Sequence, residues 1–196
     1  YCSIMWRLEL QRMKLSTLNS KMKLCSVGSN SKLSKGDSES VLTLSLSLSP
    51  ATMAGRGDIC AHRSHSCTEY CLGPWSGRGI FDTVRNARIR KTQLFFDDNK
   101  TFKEQLYNDI QMFNEYCIKN KIQGYARLNI ASDIDWMKIK YKQKDNKTVF
   151  DLFPDIKFYD YTKDPKRTSK YSNYRLTYSY SENVTEKQVV DKIKKG

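Results

Sequence analysis

The sequence lacks an apolar run approaching the roughly 18 residues that a membrane-spanning helix needs, so we expect no membrane segment. The opening residues, YCSIMWRLELQR, carry charges where a signal peptide has an apolar core, which argues against export. Neither phosphate-binding pattern, G-x-x-x-x-G-K-[ST] or G-x-G-x-x-G, occurs. We therefore expect a cytoplasmic protein whose cysteines stay reduced.

Charge of one sign is in excess, because Lys and Arg outnumber Asp and Glu by 34 to 21 and the net charge is +13. Such a balance favours a polyanionic partner such as nucleic acid, whose phosphates release counterions on binding. No basic run is dense enough to mark a docking surface, so a charge that serves only solubility is the alternative.

Hydrophobic periodicity divides the chain into a lead-in and one domain. We expect residues 1–40 to be a flexible or non-native N-terminal lead-in, with Met13 or Met22 as a candidate start, and residues 41–196 to form a single α/β domain. Alternating residues predict strands at 41–49, 125–132, 156–162 and 174–181. Helical spacing predicts helices at 81–96 and 100–121, a short helix from Asp133, and a closing helix after residue 182.

This order predicts an α/β fold, either a partial (β/α) barrel or a small open, mostly parallel sheet with flanking helices. A long irregular loop at 55–80 separates the first strand from the helices. Loops of that length in a compact domain are usually functional or disordered.

The loop contains CAHRSHSCTEYC, residues 60–71, which places Cys60, Cys67 and Cys71 close together with His62 and His65. Thiolates are soft ligands for zinc or for an iron–sulfur cluster. Either histidine can complete a zinc site, whereas three cysteines leave one position of a four-iron cluster open. One disulfide and a free thiol is the alternative to a metal.

In parallel α/β folds, functional residues gather where the strands end. The predicted strand ends carry five candidate cofactor- or substrate-binding residues, and an ion pair between Arg127 and Asp160 is a further expectation. Helix and turn capping is the alternative role for each of these polar side chains. The five candidates are Asn129, Asp133, Asp160, Ser179 and Glu182.

A second group of candidates follows the cysteines. If the protein binds nucleic acid, basic and aromatic side chains in this stretch would contact phosphates and bases, and the cysteine loop would hold a structural zinc ion. These candidates are Arg78, Arg85, Arg88, Arg90 and Trp75.

Several ordered phrases, spread over residues 26–183, resemble the phage-associated gene product 88 family. They are GSNSKLSKGD, LSLSPATMAG, C-x6-C-x3-C, CLGPWSGRG, RLNIASDIDW, FYDYTKDPKR and LTYSYSEN. The resemblance implies a viral or mobile-element origin, in the cytoplasm of an infected or host cell, and implies no particular reaction.

A three-cysteine loop after the first strand of a partial barrel is also similar to radical S-adenosylmethionine enzymes. Their usual spacing is C-x3-C-x2-C. Cys67 and Cys71 match the first gap, but Pro74 stands where the third cysteine of that pattern would be. The likeness implies an iron–sulfur cluster and S-adenosylmethionine as cofactors. The leading hypothesis is therefore a metal-binding protein with an iron–sulfur centre, and the second is a nucleic-acid-binding module with zinc.

Overall fold

A computed structural model describes residues 14–28, 35, 36, 38, 40–75 and 77–195. The described residues form strands β1 (Cys25–Val27), β2 (Val41–Leu46), β3 (Gln123–Arg127), β4 (Lys157–Thr162) and β5 (Tyr174–Tyr178). They also form helices α1 (His65–Glu69), α2 (Leu72–Trp75), α3 (Asp82–Asp97), α4 (Asn99–Asn120), α5 (Val149–Leu152) and α6 (Glu186–Lys195). Residues 14–21 are helical as well.

The five strands form one sheet whose spatial order is their chain order, β1-β2-β3-β4-β5. β1 is antiparallel to β2, and every other neighbouring pair is parallel. The crossover from β2 to β3 carries α1 to α4, and the crossover from β4 to β5 is an irregular stretch at 163–173. The open-sheet form of the predicted α/β class is confirmed.

Helix α4 forms where its apolar stripe predicts it. Asp98 caps its start by accepting a hydrogen bond from the backbone N–H of Thr101 at 3.0 Å. Lys121 ends it in the left-handed conformation, with φ of 55°. The stripe is buried throughout, and it consists of Phe102, Leu106, Ile110, Phe113 and Cys117. Burial of each large apolar side chain stabilises the fold by about 1.5–3 kcal/mol.

Glycine at position 124 lets α4 approach the sheet closely. A Cβ atom on Gly124 would lie 2.6 Å from Cδ1 of Ile156 and 3.0 Å from the ring of Phe113. Since Cβ atoms do not approach other atoms that closely, a larger residue here would push the helix away from β3.

The two faces of the sheet differ in chemistry because side chains alternate along each strand. One face packs against the helices with buried residues such as Leu44, Ala126 and Phe158. The opposite face, called the polar face from here on, carries Ser26, Thr43, Ser45, Tyr125, Arg127, Lys157, Tyr159, Tyr161, Arg175 and Thr177.

Residues 14–28, within the predicted lead-in, belong to the folded unit. β1 extends the sheet at one edge, and the segment 14–28 adds buried apolar side chains to the core. These side chains are Leu18, Met22, Leu24, Cys25 and Val27. Much of the remaining lead-in, including residues 1–13 and 29–34, lies outside the described residues.

Local differences from the predicted elements concern strand and helix ends. β2 ends at Leu46, β3 at Arg127 and β5 at Tyr178, each earlier than predicted, and the residues after Asp133 form turns instead of a helix. Side-chain hydrogen bonds described below hold that stretch in its irregular conformation. None of the helices in the described part of the chain combines the length and apolar character needed to cross a membrane.

Asp109 of α4 anchors the entry into β1. Its carboxylate accepts hydrogen bonds from the backbone N–H groups of Lys23 at 3.0 Å, Leu24 at 2.7 Å and Cys25 at 2.8 Å. The side chain is buried, so these three donors have a carboxylate in place of water.

Replacing Asp109 with Ala should lower the free energy of unfolding by about 3 kcal/mol, because three backbone donors lose their acceptor at a buried site. Urea denaturation followed by circular dichroism measures the change. Glu115→Ala, on an exposed position of the same helix, is the control and should change the value by less than about 0.5 kcal/mol. Equal effects of the two variants would contradict the anchoring role.

Candidate functional site

The candidate site lies at the carboxyl edge of the sheet, formed by the segments that follow β2, β3, β4 and β5. These segments are residues 47–64, 128–136, 163–167 and 179–182. All of them leave the same edge because the four strands are parallel. The edge therefore gathers the cysteine loop and the polar strand ends predicted from the sequence.

Asn129 organises the segment after β3. Its side-chain oxygen accepts hydrogen bonds from Ser132 Oγ at 2.9 Å, the backbone N–H of Ile134 at 3.0 Å and Trp136 Nε1 at 3.1 Å. Its Nδ2 donates to the carbonyl of Ile134 at 3.0 Å. The Asn129 side chain is 2% exposed, so its hydrogen bonds fix the loop from inside the protein. They hold this segment in an irregular conformation in place of the predicted helix.

Asp160 of β4 is the partner of Asn129. The backbone N–H of Asn129 donates to Asp160 Oδ1 at 2.8 Å, and Nδ2 lies 3.4 Å from Oδ2. Burial raises the pKa of Asp160 to about 7, while the N–H of Asn129 and the charge of Arg127 act in the opposite direction. Both predicted ligand-binding residues are thus buried and bonded to each other.

The expected ion pair between Arg127 and Asp160 is not formed. Asp160 lies on the helix-covered face of the sheet, whereas Arg127 lies on the polar face, with its guanidinium carbon 4.8 Å from the centre of the Tyr161 ring. The reason is register, because the two residues occupy positions of opposite parity in the paired strands.

Asp133 joins the segment after β3 to the segment after β4. Its carboxylate accepts from the backbone N–H of Lys163 at 2.9 Å and from Arg167 Nη1 at 2.7 Å. The side chains of Arg167 and Asp133 are 6% and 10% exposed. Removing one member of such a buried pair leaves an uncompensated charge, so the link between the two segments depends on both residues.

The cysteine loop is attached to this framework from two sides. The backbone N–H of Asp133 donates to the carbonyl of Ile59 at 2.8 Å, and the thiol of Cys60 lies 3.7 Å from the carbonyl of Ala131. On the other side, Glu182 accepts from the backbone N–H of Ser66 at 2.8 Å. Hydrogen bonds from Ser66 and Ser64 hold the pKa of Glu182 down, at about 2.

The three thiols of the loop lie in one locality. Burial is the main cause that raises the pKa of Cys60 to about 11; the N–H of Ala51 acts against it, and the nearby thiols of Cys67 and Cys71 contribute in the same direction as burial. All three are free thiols and partly buried, so the disulfide alternative is not formed here. Within the described residues, no three His, Cys, Asp or Glu side chains converge closely enough to coordinate a single ion.

The two histidines occupy different surroundings. His62 Nε2 lies 3.5 Å from Asp164 Oδ2, and Arg167 lies beside the same carboxylate at 3.8 Å. His65 is 89% exposed on α1, with Nε2 3.5 Å from Glu69. Both rings are solvent-exposed, since the His62 side chain is itself 45% exposed, but His62 contacts a residue of the carboxyl edge and His65 contacts a residue of its own helix.

Ser179 and Glu182 complete the edge after β5. Lys163 Nζ lies 3.5 Å from Ser179 Oγ and donates to the carbonyl of Tyr180 at 2.9 Å. Asp164 and Arg167 were not among the predicted site residues, although both follow the strand-end residue Lys163 in the phrase FYDYTKDPKR. A lysine, an acid and an arginine directly after a predicted strand were the available signal.

The predicted arginine surface is only partly available. Arg85 is paired with Asp82, and Arg88 donates to the carbonyl of Gly73. Arg78 and Arg90 are exposed. The side chain of Trp75 lies outside what the structure describes.

The family model described as gene product 88 matches residues 17–196. Comparison with curated proteins and with solved structures returned no match. The likeness to radical S-adenosylmethionine enzymes accordingly gains no support from known folds.

The raised pKa of Asp160 predicts a pH-dependent stability. Between about pH 4 and 7 the folded state keeps a proton that the unfolded state releases, so the free energy of unfolding should fall as pH rises, by up to about 1.4 kcal/mol per unit. Asp160→Asn should remove this contribution, as measured by urea denaturation across the range. The exposed Asp191→Asn is the control, and parallel profiles for wild type and Asp160→Asn would contradict the prediction.

Proposed function

We propose a metal-binding function for this chain, which belongs to the gene product 88 family, with Cys60, Cys67 and Cys71 as the ligands. The proximity of the three free thiols at the carboxyl edge of the sheet is the observation that carries the proposal. They come from a loop that is held at Ile59 by Asp133 and at Ser66 by Glu182, which lowers the entropy lost when they converge on a metal.

An iron–sulfur cluster fits these thiols better than a single zinc ion. Zinc–sulfur bonds of about 2.3 Å place tetrahedral thiolates about 3.8 Å apart, and among the described residues no three candidate ligands form a group around one ion. In a cluster each thiolate binds a different iron atom, so the sulfurs stand farther apart. Three soft, partly buried sulfur donors match the preference of iron–sulfur centres.

His62 is the better candidate for the fourth ligand. A metal-bound histidine usually donates its second ring N–H to a carboxylate, and Asp164 stands 3.5 Å from His62 Nε2, itself beside Arg167. This arrangement leaves Nδ1 of His62 for the metal. His65 pairs with Glu69, whose side chain is 52% exposed, and has no such anchored partner.

A bound cluster would supply electron transfer or a Lewis-acidic iron at this edge. The chain's own residues position the loop: Asn129 shapes the segment that contacts Cys60, and Asp133 holds both Ile59 and Lys163. Lys163 and Ser179 stand at the same edge and provide polar contacts for a bound molecule.

Anaerobically purified protein should contain iron and acid-labile sulfide and show a broad visible absorption. Cys67→Ser should lose most of the metal, because a serine hydroxyl is a poor substitute for a thiolate. Cys117→Ala, a core thiol outside the loop, is the matched control and should retain it. Stoichiometric zinc without iron would overturn the cluster assignment, and metal content unchanged in Cys67→Ser would overturn the ligand assignment.

Replacing each histidine separately tests the fourth ligand. His62→Ala should weaken metal retention by at least about tenfold in a chelator competition, since an inner ligand and its carboxylate contact are both lost. His65→Ala should leave retention unchanged because that ring is on the surface. The reverse order of effects would assign the ligand to His65.

A further inference from the structure

The polar face of the sheet carries tyrosines and basic side chains, and none of them belongs to the proposed metal centre. We propose that this face binds single-stranded nucleic acid, with bases stacked on its tyrosines and phosphates held by its cationic side chains. The proposal concerns the face opposite the packed helices and does not depend on the metal-binding function.

Aromatic and cationic side chains stand beside one another across the strands. In register, Tyr125 faces Lys157, Tyr159 faces Arg175, and Tyr161 faces Thr177. The rings of Tyr125 and Tyr159 are 6.4 Å apart. Two of these three cross-strand pairs therefore set a ring beside a cation on the neighbouring strand.

Arg127 shows how a cation is held on this surface. Its guanidinium carbon lies 4.8 Å from the centre of the Tyr161 ring, in a cation–π contact. A base can stack on a tyrosine or a guanidinium plane, and each stacking contact is independent of sequence because every base has a π face. Arg127 and Tyr161 therefore form a ready platform for one base.

Several side chains of the polar face are exposed to solvent. Lys157, Arg175 and Thr177 are exposed, and Tyr161 is 46% exposed although it lies in an interior strand of the sheet. An exposed large ring on an interior strand is a candidate contact for a partner, since the core gains nothing from it.

The charge of the face identifies the partner. Its charged strand residues are Arg127, Lys157 and Arg175, and the one acidic residue within the described strands, Asp160, lies on the opposite face. Strand positions on this face that carry cations and no acid complement a polyanion, as does the net charge of +13. Unpaired bases are required for stacking, so we assign a single strand and not a duplex.

This surface differs from the arginine stretch at 78–90. There Arg85 and Arg88 are engaged by Asp82 and by the carbonyl of Gly73. On the polar face the cations stand next to aromatic rings in register across neighbouring strands. The polyanion expected from the sequence is therefore placed on the sheet.

Fluorescence anisotropy with a labelled 12-nucleotide oligothymidine, in 50–300 mM salt, tests the proposal on the full chain. The double variant Tyr161→Ala/Arg175→Ser should bind at least about tenfold more weakly, and its salt slope should fall by about one. The matched control Tyr70→Ala/Arg90→Ser removes an exposed tyrosine and an exposed arginine elsewhere and should bind within twofold of wild type.

Two single variants at Tyr161 test the same contact if the double variant is unstable. Tyr161→Phe should retain binding and Tyr161→Leu should lose it, because only the first preserves the ring. Cys67→Ser should bind as wild type does, which separates this proposal from the metal centre. No binding at 50 mM salt, equal binding to a 12-base-pair duplex, or a loss confined to the Tyr70→Ala/Arg90→Ser control would overturn the assignment.

Discussion

The buried amide of Asn129 is the interaction on which the carboxyl edge depends. It satisfies donors and acceptors of the segment that follows β3 and ties that segment to Asp160 of the neighbouring strand. Because the segment is buried, its backbone groups need internal partners, and one side chain with both a donor and an acceptor provides several of them. The loop can then be irregular and still fixed.

The fixed segment in turn determines where the cysteine loop lies. Asp133 receives Lys163 and Arg167 on its carboxylate, while its backbone N–H reaches Ile59, next to Cys60. Asp133 and Arg167 form a buried ion pair. The same region contains Asp160, whose pKa is raised by burial. The thiols, the histidine at position 62 and the strand ends are thus parts of one connected structure.

The division of the sheet into two faces gives the molecule two separate surfaces. Helices cover one face and bury the residues that stabilise the fold, and on the other face Tyr161 and Arg175 are exposed. The proposed metal centre lies at the edge and the proposed nucleic-acid surface on the polar face. Neither of these two proposed sites is built from the buried apolar side chains that form the core.

The sequence by itself determined the α/β class, the stripe of α4 and the gathering of polar residues at strand ends, because hydrophobic periodicity and strand direction are local properties. It also singled out the cysteine loop. Only the tertiary structure decided that Asn129 and Asp160 bond to each other, that Arg127 faces away from Asp160, and that Cys25–Val27 joins the sheet. Those outcomes depend on strand register and on contacts between residues far apart in the chain, which no local pattern encodes.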